Sequence, residues 1–266
     1  MPPLYGCALM LLDPRNGPDF DLPAAPDARS YVLASTPRTG STLLARALWD
    51  AGDAGAPKEY LNPMQLIDWE RRFGTLASRL RHQLTVGPLQ ALVGPGWSAR
   101  RMAAHLARVR ARRSSPRWFG LKIHRHHLVR HLGSARGLDD ALGGARWVWV
   151  RRRDRLGQAI SWARALQTGQ WAGHQRPYAA PRFRRAQITR LMARIERDEL
   201  AWGLELAPFE PWVVWYEDLA ADLHEAVQGV RGLLDLPPCV GSTPAPLTRQ
   251  ADAISAAWRE RFLAGR

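Results

Sequence analysis

Residues 31–49 read YVLASTPRTGSTLLARALW, and they give the clearest indication of the fold class. Its first five residues form an apolar run typical of a buried strand, TPRTGST at 36–42 follows as a loop, and a helical pattern continues to residue 51. A strand, a loop rich in Gly and small hydroxyl residues, and a helix together point backbone N–H groups and the positive end of the helix at an anion. The stretch therefore predicts a phosphate-binding loop.

The loop departs from the Walker A sequence of nucleoside triphosphatases, GxxxxGK[ST]. It contains a single glycine, Gly40, no Lys before its hydroxyl residues, and Arg38 near its start. Gly40 allows close approach of the backbone to an anion, and Ser41 or Thr42 is expected to cap the helix. We therefore expect a phosphate site outside the nucleoside triphosphatase class.

Three more apolar runs lie at residues 118–123, 146–150 and 212–215. They are near-continuous rather than alternating, which is typical of strands buried on both faces of a parallel sheet. Helical patterns lie between and after these runs, at 99–112, 155–168, 183–205, 219–234 and about 248–262. Strands that alternate with helices predict a three-layer α/β, P-loop-like fold with a central parallel sheet of four to five strands.

A second group of candidate anion ligands follows the third strand, where Arg151, Arg152 and Arg153 precede Asp154. Ser161 lies eight residues after Arg153, on the next helix. Ligands gather at the carboxyl ends of parallel strands, so this guanidinium and hydroxyl could converge on one phosphate. Two anion sites at two strand ends suggest a ligand with two separated phosphate-like groups.

The net charge is +14 and the isoelectric point about 11.2, with Lys58 and Lys122 the only lysines among 38 basic residues. Two cysteines make no disulfide framework or zinc site, which favours a reducing compartment. No apolar run is long enough to span a bilayer, and no basic segment precedes the apolar start. We expect a cytoplasmic protein without a membrane partner.

Four stretches resemble the PAPS-dependent sulfotransferases, and most closely the bacterial trehalose 2-sulfotransferase-like family; they lie at 35–62, 151–171, 216–219 and 247–258. Arg38 stands where many members carry Lys, and as a positive donor it is also a candidate catalytic residue that stabilises the departing phosphate oxygen. The resemblance implies transfer of a sulfuryl group from 3′-phosphoadenosine-5′-phosphosulfate (PAPS) to a hydroxyl of a sugar or another small molecule, without a metal. It also implies adenosine 3′,5′-bisphosphate as product, a disaccharide such as trehalose as a candidate acceptor, and a homodimer that pairs through the C-terminal helix.

The resemblance also implies roles for individual residues. The 5′-phosphosulfate would be held by Arg38, Thr39, Gly40, Ser41 and Thr42. The 3′-phosphate would be held by Arg153 and Ser161, with Tyr216 and Arg249 as further nucleotide contacts. We expect one domain over residues 1–266, with an N-terminal extension at 1–28 and a helical insertion at 62–116 on the acceptor side.

Two candidates compete for the base that deprotonates the acceptor hydroxyl. Glu59 matches the proposed base of the trehalose-type family, whereas Lys122 and His124 resemble the Lys-x-His of cytosolic sulfotransferases. Lys122 and His124 are two residues apart on a strand and so share a face, with Lys122 expected to assist electrostatically. We favour Glu59, because a carboxylate shielded from water beside the acceptor could have a raised pKa suited to a base. His124 stays open as the alternative.

Two other classes compete with this interpretation. A kinase-like phosphotransferase could use the same loop, although the Walker Lys and a clear magnesium-binding Asp are missing. A nucleic-acid-binding protein would explain the charge but not the order of Gly, hydroxyl and Arg residues at strand ends. The aromatic residues that could stack on an acceptor or belong to the core are Trp69, Trp97, Trp171 and Tyr178.

Overall fold

The computed structural model describes residues 14–76, 97–171, 175–239 and 253–265. Arg249 and parts of the predicted extension and insertion lie outside the described residues. All four predicted strands are present: β1 (Arg29–Ser35), β2 (Trp118–His124), β3 (Ala145–Arg151) and β4 (Trp212–Trp215). They form one parallel sheet in the order β2-β1-β3-β4, which confirms the predicted sheet.

The described helices, in chain order, are α1 (Ser41–Asp50), α2 (Pro63–Phe73), α3 (Ala99–Arg113), α4 (Arg125–His131), α5 (Ala135–Leu142), α6 (Arg155–Thr168), α7 (Arg185–Leu206), α8 (Tyr216–Ala221), α9 (Leu223–Leu233) and α10 (Ala253–Leu263). The helix expected over 219–234 is in fact two helices. Asp222 is in an extended conformation, and its side chain accepts a hydrogen bond from the N–H of Glu225 (2.9 Å), which starts α9. This is the usual N-cap geometry for Asp.

Side chains of β1 alternate between two buried layers. Val32 and Ala34 belong to a core formed with α2, α3, α5 and α7, whereas Tyr31 and Leu33 belong to a core formed with α1 and α9. All four residues are completely buried. Because successive strand residues point to opposite faces, the alternation shows helices on both faces and hence three layers.

The strand register brings the carboxyl ends together at one edge of the sheet. Ser35 at the end of β1 is opposite His124 of β2 and Val150 of β3, and Arg151 is opposite Trp215 of β4. The loop after β1, the arginine run after β3 and the start of α8 therefore share this edge. This is where open parallel sheets bind ligands.

The described part of the N-terminal extension is anchored by Arg113 at the end of α3. This residue is fully buried and donates to the carbonyl oxygens of Arg15, Asn16, Gly17 and Phe20 at 3.0–3.2 Å. The described helices of the predicted insertion, α2 and α3, pack into the core through Trp69 and Leu106. The division of the chain into one domain with these two additions stays a prediction.

Candidate active site

The loop after β1 has an unusual backbone conformation. Arg38 has a φ of 69° and Gly40 a φ of 77°. A Cβ at Gly40 would lie 2.7 Å from Cδ2 of Tyr216 and 3.0 Å from Cδ2 of Leu219, so only glycine fits. Gly40 itself occupies the N-cap position of α1 without a side-chain cap, and the prediction that Ser41 or Thr42 caps this helix is wrong. The left-handed glycine starts the helix in their place.

Two polar side chains from distant helices hold the loop. Gln158 donates its amide to Oγ1 of Thr36 and to the carbonyl oxygen of Pro37, both at 2.8 Å. Glu199 is buried on α7 and accepts from the Thr36 hydroxyl at 3.4 Å. Inside the loop, the Thr39 hydroxyl donates to the Thr36 carbonyl at 3.1 Å. Sequence reasoning missed Gln158 and Glu199, because no local pattern marks a helical side chain that supports a loop.

Arg38 turns its guanidinium toward α6 and the segment after it. Its Nε donates to Oγ of Ser161 at 2.9 Å, and another N–H binds the carbonyl oxygen of Trp171. Burial, and after it the positive charge of Arg152, lower the pKa of Arg38 to about 10. The structure therefore brings Ser161 of the second predicted anion site into contact with Arg38 of the first.

The arginine predicted to work with Ser161 has a different partner. Arg153 is exposed and makes two parallel hydrogen bonds to the carboxylate of Asp218, at 2.7 and 2.9 Å. The backbone N–H groups of Arg153 and Asp154 donate to the carboxylate of Glu217 at 3.0–3.1 Å. The first turn of α8 is thereby fixed to the end of β3. This turn also carries Tyr216, whose ring packs on Gly40.

Glu59 reaches the same edge of the sheet through an isolated parallel bridge. Lys58 pairs with Leu121, and the carbonyl of Lys58 accepts from the N–H of Lys122 at 2.9 Å. The next side chain, Glu59, forms an ion pair with Lys122. Lys122 also donates to Oγ1 of Thr42 at 3.0 Å. The buried lysine thus joins the carboxylate to the first turn of α1.

The two rival bases lie in one cluster. Nε2 of His124 is 3.4 Å from Oε1 of Glu59, and its Nδ1 is 3.0 Å from the hydroxyl oxygen of Ser35. Asn62 donates to the other carboxylate oxygen of Glu59 at 2.7 Å. Burial raises the pKa of Glu59, but the charge of Lys122 and the contacts with His124 outweigh it and hold that pKa well below its usual value. Glu59 is therefore an ionised carboxylate, and the expectation of a raised pKa is wrong.

Two further histidines extend this cluster. The rings of His126 and His127 are 4.1 Å apart, and that of His126 stacks on His124 at 5.9 Å. Burial lowers the pKa of His127 well below its ordinary value, so His127 is neutral. Within residues 14–76, 97–171, 175–239 and 253–265, no group of three or more His, Cys, Asp or Glu side chains is arranged to hold a metal ion.

The four candidate acceptor aromatics have different surroundings. Trp69 is completely buried and belongs to the core, and Trp97 packs against His105 at 5.5 Å between ring centroids. Trp171 is half-buried and offers its carbonyl to Arg38. Tyr178 is half exposed and lies over Gly169. Of these four residues, Trp171 contacts Arg38 of the loop after β1, through its backbone carbonyl.

One edge of the sheet carries a loop of the phosphate-binding type, several arginines, and a buried cluster of Lys122, Glu59 and His124. This combination is compatible with transfer of a group from an anionic donor. The model of the Stf0 sulphotransferase family matches residues 30–265, and the chain belongs to this family. It is therefore a sulfotransferase, which uses a sulfuryl donor. The kinase-like and nucleic-acid-binding alternatives are not favoured.

Two curated relatives match most of the chain. The trehalose 2-sulfotransferase of Mycobacterium tuberculosis is 25% identical over 260 residues, which is 89% of this chain and 95% of that protein. The trehalose 2-sulfotransferase of Mycolicibacterium smegmatis is 25% identical over 252 residues, with 88% and 94% covered. The resemblance to a trehalose 2-sulfotransferase-like family is thus confirmed.

Two solved structures are also similar to the chain. One is the sulfotransferase domain of the olefin synthase of Synechococcus PCC 7002, with a TM-score of 0.42, 16% identity, and 90% of this chain and 96% of that chain covered. The other is a sulfotransferase from Alicyclobacillus acidocaldarius, with a TM-score of 0.49, 15% identity, and 89% of this chain and 94% of that chain covered.

In the described part of the chain, no helix is both long and apolar enough to cross a membrane.

Proposed function

We propose that this enzyme moves the sulfuryl group of PAPS to a hydroxyl of a sugar, with a disaccharide such as trehalose as the first candidate acceptor. The observation that carries the proposal is a contact between one residue of each predicted anion site: Arg38 of the loop binds Ser161 of α6. A donor with a 5′-phosphosulfate and a 3′-phosphate fits adjoining sites of this kind. The sugar is suggested by the two trehalose 2-sulfotransferases that match nearly the whole chain.

On the donor side, the first turn of α1 supplies backbone N–H groups that have no partner inside the helix. Together with the hydroxyls of Ser41 and Thr42, these would bind the 5′-phosphosulfate. Gly40, whose φ is 77°, starts the helix that presents them. Ser161 and Arg153 would bind the 3′-phosphate. Arg38 would exchange its contacts with Ser161 and Trp171 for donor oxygens.

In the reaction, the acceptor oxygen forms the new S–O bond as the bond between sulfur and the donor phosphate oxygen breaks, and the hydroxyl proton passes to a base. We propose Glu59 as that base. Both ring nitrogens of His124 already face partners, Ser35 and Glu59, whereas a carboxylate oxygen can accept several hydrogen bonds. Lys122 lies between Glu59 and Thr42, where its charge would stabilise the leaving phosphate oxygen.

Binding of adenosine 3′,5′-bisphosphate tests the proposed donor. We expect this nucleotide to raise the melting temperature of the protein more than adenosine 5′-phosphate or ATP does, because it occupies both anion sites. A sulfation assay with PAPS and a panel of sugars would follow. Equal or greater stabilisation by ATP would contradict the PAPS assignment. If no sugar in the panel received labelled sulfate, the proposal of a sugar acceptor would be contradicted.

The 3′-phosphate ligands are tested by substitution. We expect Arg153→Ala and Ser161→Ala each to weaken binding of adenosine 3′,5′-bisphosphate by about 1–3 kcal/mol, the cost of a lost hydrogen bond to a charged group. Binding of adenosine 5′-phosphate should change much less. Calorimetry with both nucleotides measures the difference. Unchanged affinity for the bisphosphate in both variants would show that the 3′-phosphate binds elsewhere.

Pairing of subunits through the C-terminal helix, α10, also stays a proposal. Within the chain itself, Trp258 of α10 packs against α6.

A further inference from the structure

The three arginines that follow β3 differ in how their charges are balanced. Nε of Arg151 donates to the buried carboxylate of Glu199 at 2.8 Å. Arg153 has the two-fold contact with Asp218, at 2.7 and 2.9 Å. Both therefore have a close carboxylate partner of the kind that stabilises a guanidinium.

Among the residues that the structure describes, Arg152, between them, has no comparable partner. Its nearest carboxylate contact is Oδ2 of Asp154 at 3.5 Å, an oxygen that also binds Arg259. Another N–H points to the carbonyl oxygen of Arg38 at 3.4 Å, and the guanidinium lies 4.4 Å from the centre of the Tyr216 ring. These long contacts leave the charge of Arg152 weakly compensated.

Burial makes this imbalance costly. The side chain of Arg152 is only 15% exposed, and its Nε is buried without a hydrogen-bond partner among the residues the structure describes. An unsatisfied N–H on a buried charged group costs free energy, and such groups are few in folded proteins. The neighbouring charge of Arg38 makes the site more positive still: after burial, the charge of Arg152 is the next cause that lowers the pKa of Arg38. A bound anion would relieve both effects.

We infer that Arg152 is a donor-binding residue: held between the phosphate loop and Tyr216, it contacts the anionic groups of the nucleotide. The inference rests on the proposed function and adds a residue to it. Arg152 is the member of the arginine run that contacts the loop backbone, through the Arg38 carbonyl. Its position over Tyr216 orients the guanidinium and reduces the entropy lost when a phosphate binds. The binding step itself breaks no covalent bond.

Calorimetric titration of adenosine 3′,5′-bisphosphate and adenosine 5′-phosphate into purified variants tests this inference. We expect Arg152→Met to lose about 10- to 100-fold in affinity for the bisphosphate, the range for a lost charged hydrogen bond. Arg152→Lys retains the charge but not the planar fork, so its loss should be smaller, about 3- to 10-fold. Arg112→Met, which removes an exposed arginine at the end of α3, is the matched control and should bind as the wild type does.

Comparing the affinity losses for the two nucleotides shows which phosphate of the donor Arg152 contacts. Equal losses for both nucleotides would place Arg152 at the 5′ end, and a loss confined to the bisphosphate would place it at the 3′-phosphate; either supports the inference. Wild-type affinity in a folded Arg152→Met protein overturns it. If that variant does not fold, wild-type affinity in Arg152→Lys has the same consequence. A wild-type enzyme that binds no bisphosphate would instead overturn the proposed donor, and this inference with it.

Discussion

Replacement of Glu59 by Gln is expected to lower kcat by about 10²- to 10⁴-fold, the usual contribution of a positioned general base. The amide keeps the shape of the side chain but cannot take the acceptor proton. Affinity for adenosine 3′,5′-bisphosphate should stay close to that of the wild type, because the base contacts the acceptor and not the nucleotide. Steady-state kinetics with the best sugar acceptor and calorimetry with the nucleotide would separate these two quantities.

Glu196→Gln provides the control, since this carboxylate is exposed on α7. Its kcat should equal that of the wild type. Normal turnover in Glu59→Gln would show that Glu59 is not the base and would assign that role to His124. The pH profile of kcat/KM gives an independent answer, because its acid limb reports the base of the free enzyme. With Glu59 as base, this limb should lie below the ordinary carboxylate range; an acid limb near pH 6–7 would indicate a histidine.

The lowered pKa of Glu59 also has a consequence for stability. The folded state holds the ionised carboxylate more tightly than the unfolded chain does, with an unfolded pKa of about 4.3. The stabilisation is therefore fully present above that pH and is lost as the pH falls toward the folded-state pKa. Glu59→Gln lacks this contribution, so its melting temperature should depend less on pH in the acid range.

Gly40→Ala is expected to destabilise the protein by about 1–3 kcal/mol and to weaken donor binding more than tenfold. The added methyl group would lie 2.7 Å from Tyr216 and 3.0 Å from Leu219, and the φ of 77° disfavours any side chain. The loop must move to relieve the contact, which displaces the N–H groups at the start of α1. Thermal unfolding and nucleotide titration measure the two effects.

Gly52→Ala is a matched control at the other end of α1. Gly52 has a φ of 87°, but a Cβ there would meet nothing within 4 Å. This variant carries the backbone strain without the steric contact, so it should lose stability and retain nucleotide affinity. Equal nucleotide affinities in Gly40→Ala and Gly52→Ala would show that the close packing of Gly40 on Tyr216 does not shape the anion site.

Local sequence patterns were sufficient to predict much of the fold. The apolar runs are short, β-branched or aromatic, and buried on both faces, so all four strands could be located from the sequence. The first helix was predicted within one residue of its observed end at Asp50, and the bounds of α6 were predicted as observed. The break at Asp222 was missed because a helical pattern of apolar residues continues through it.

The candidate site also has features that the sequence predicts and features that it does not predict. The parallel α/β fold and most of the candidate residues could be predicted from the sequence, because strand and helix periodicity and loop composition are local properties. The contacts between side chains could be read from the folded chain alone: Glu59 with His124, Ser161 with Arg38, and Arg153 with Asp218. These pairings join residues far apart in the chain. They depend on strand register and on which partner a long guanidinium finds, and neither is encoded in the spacing of residues.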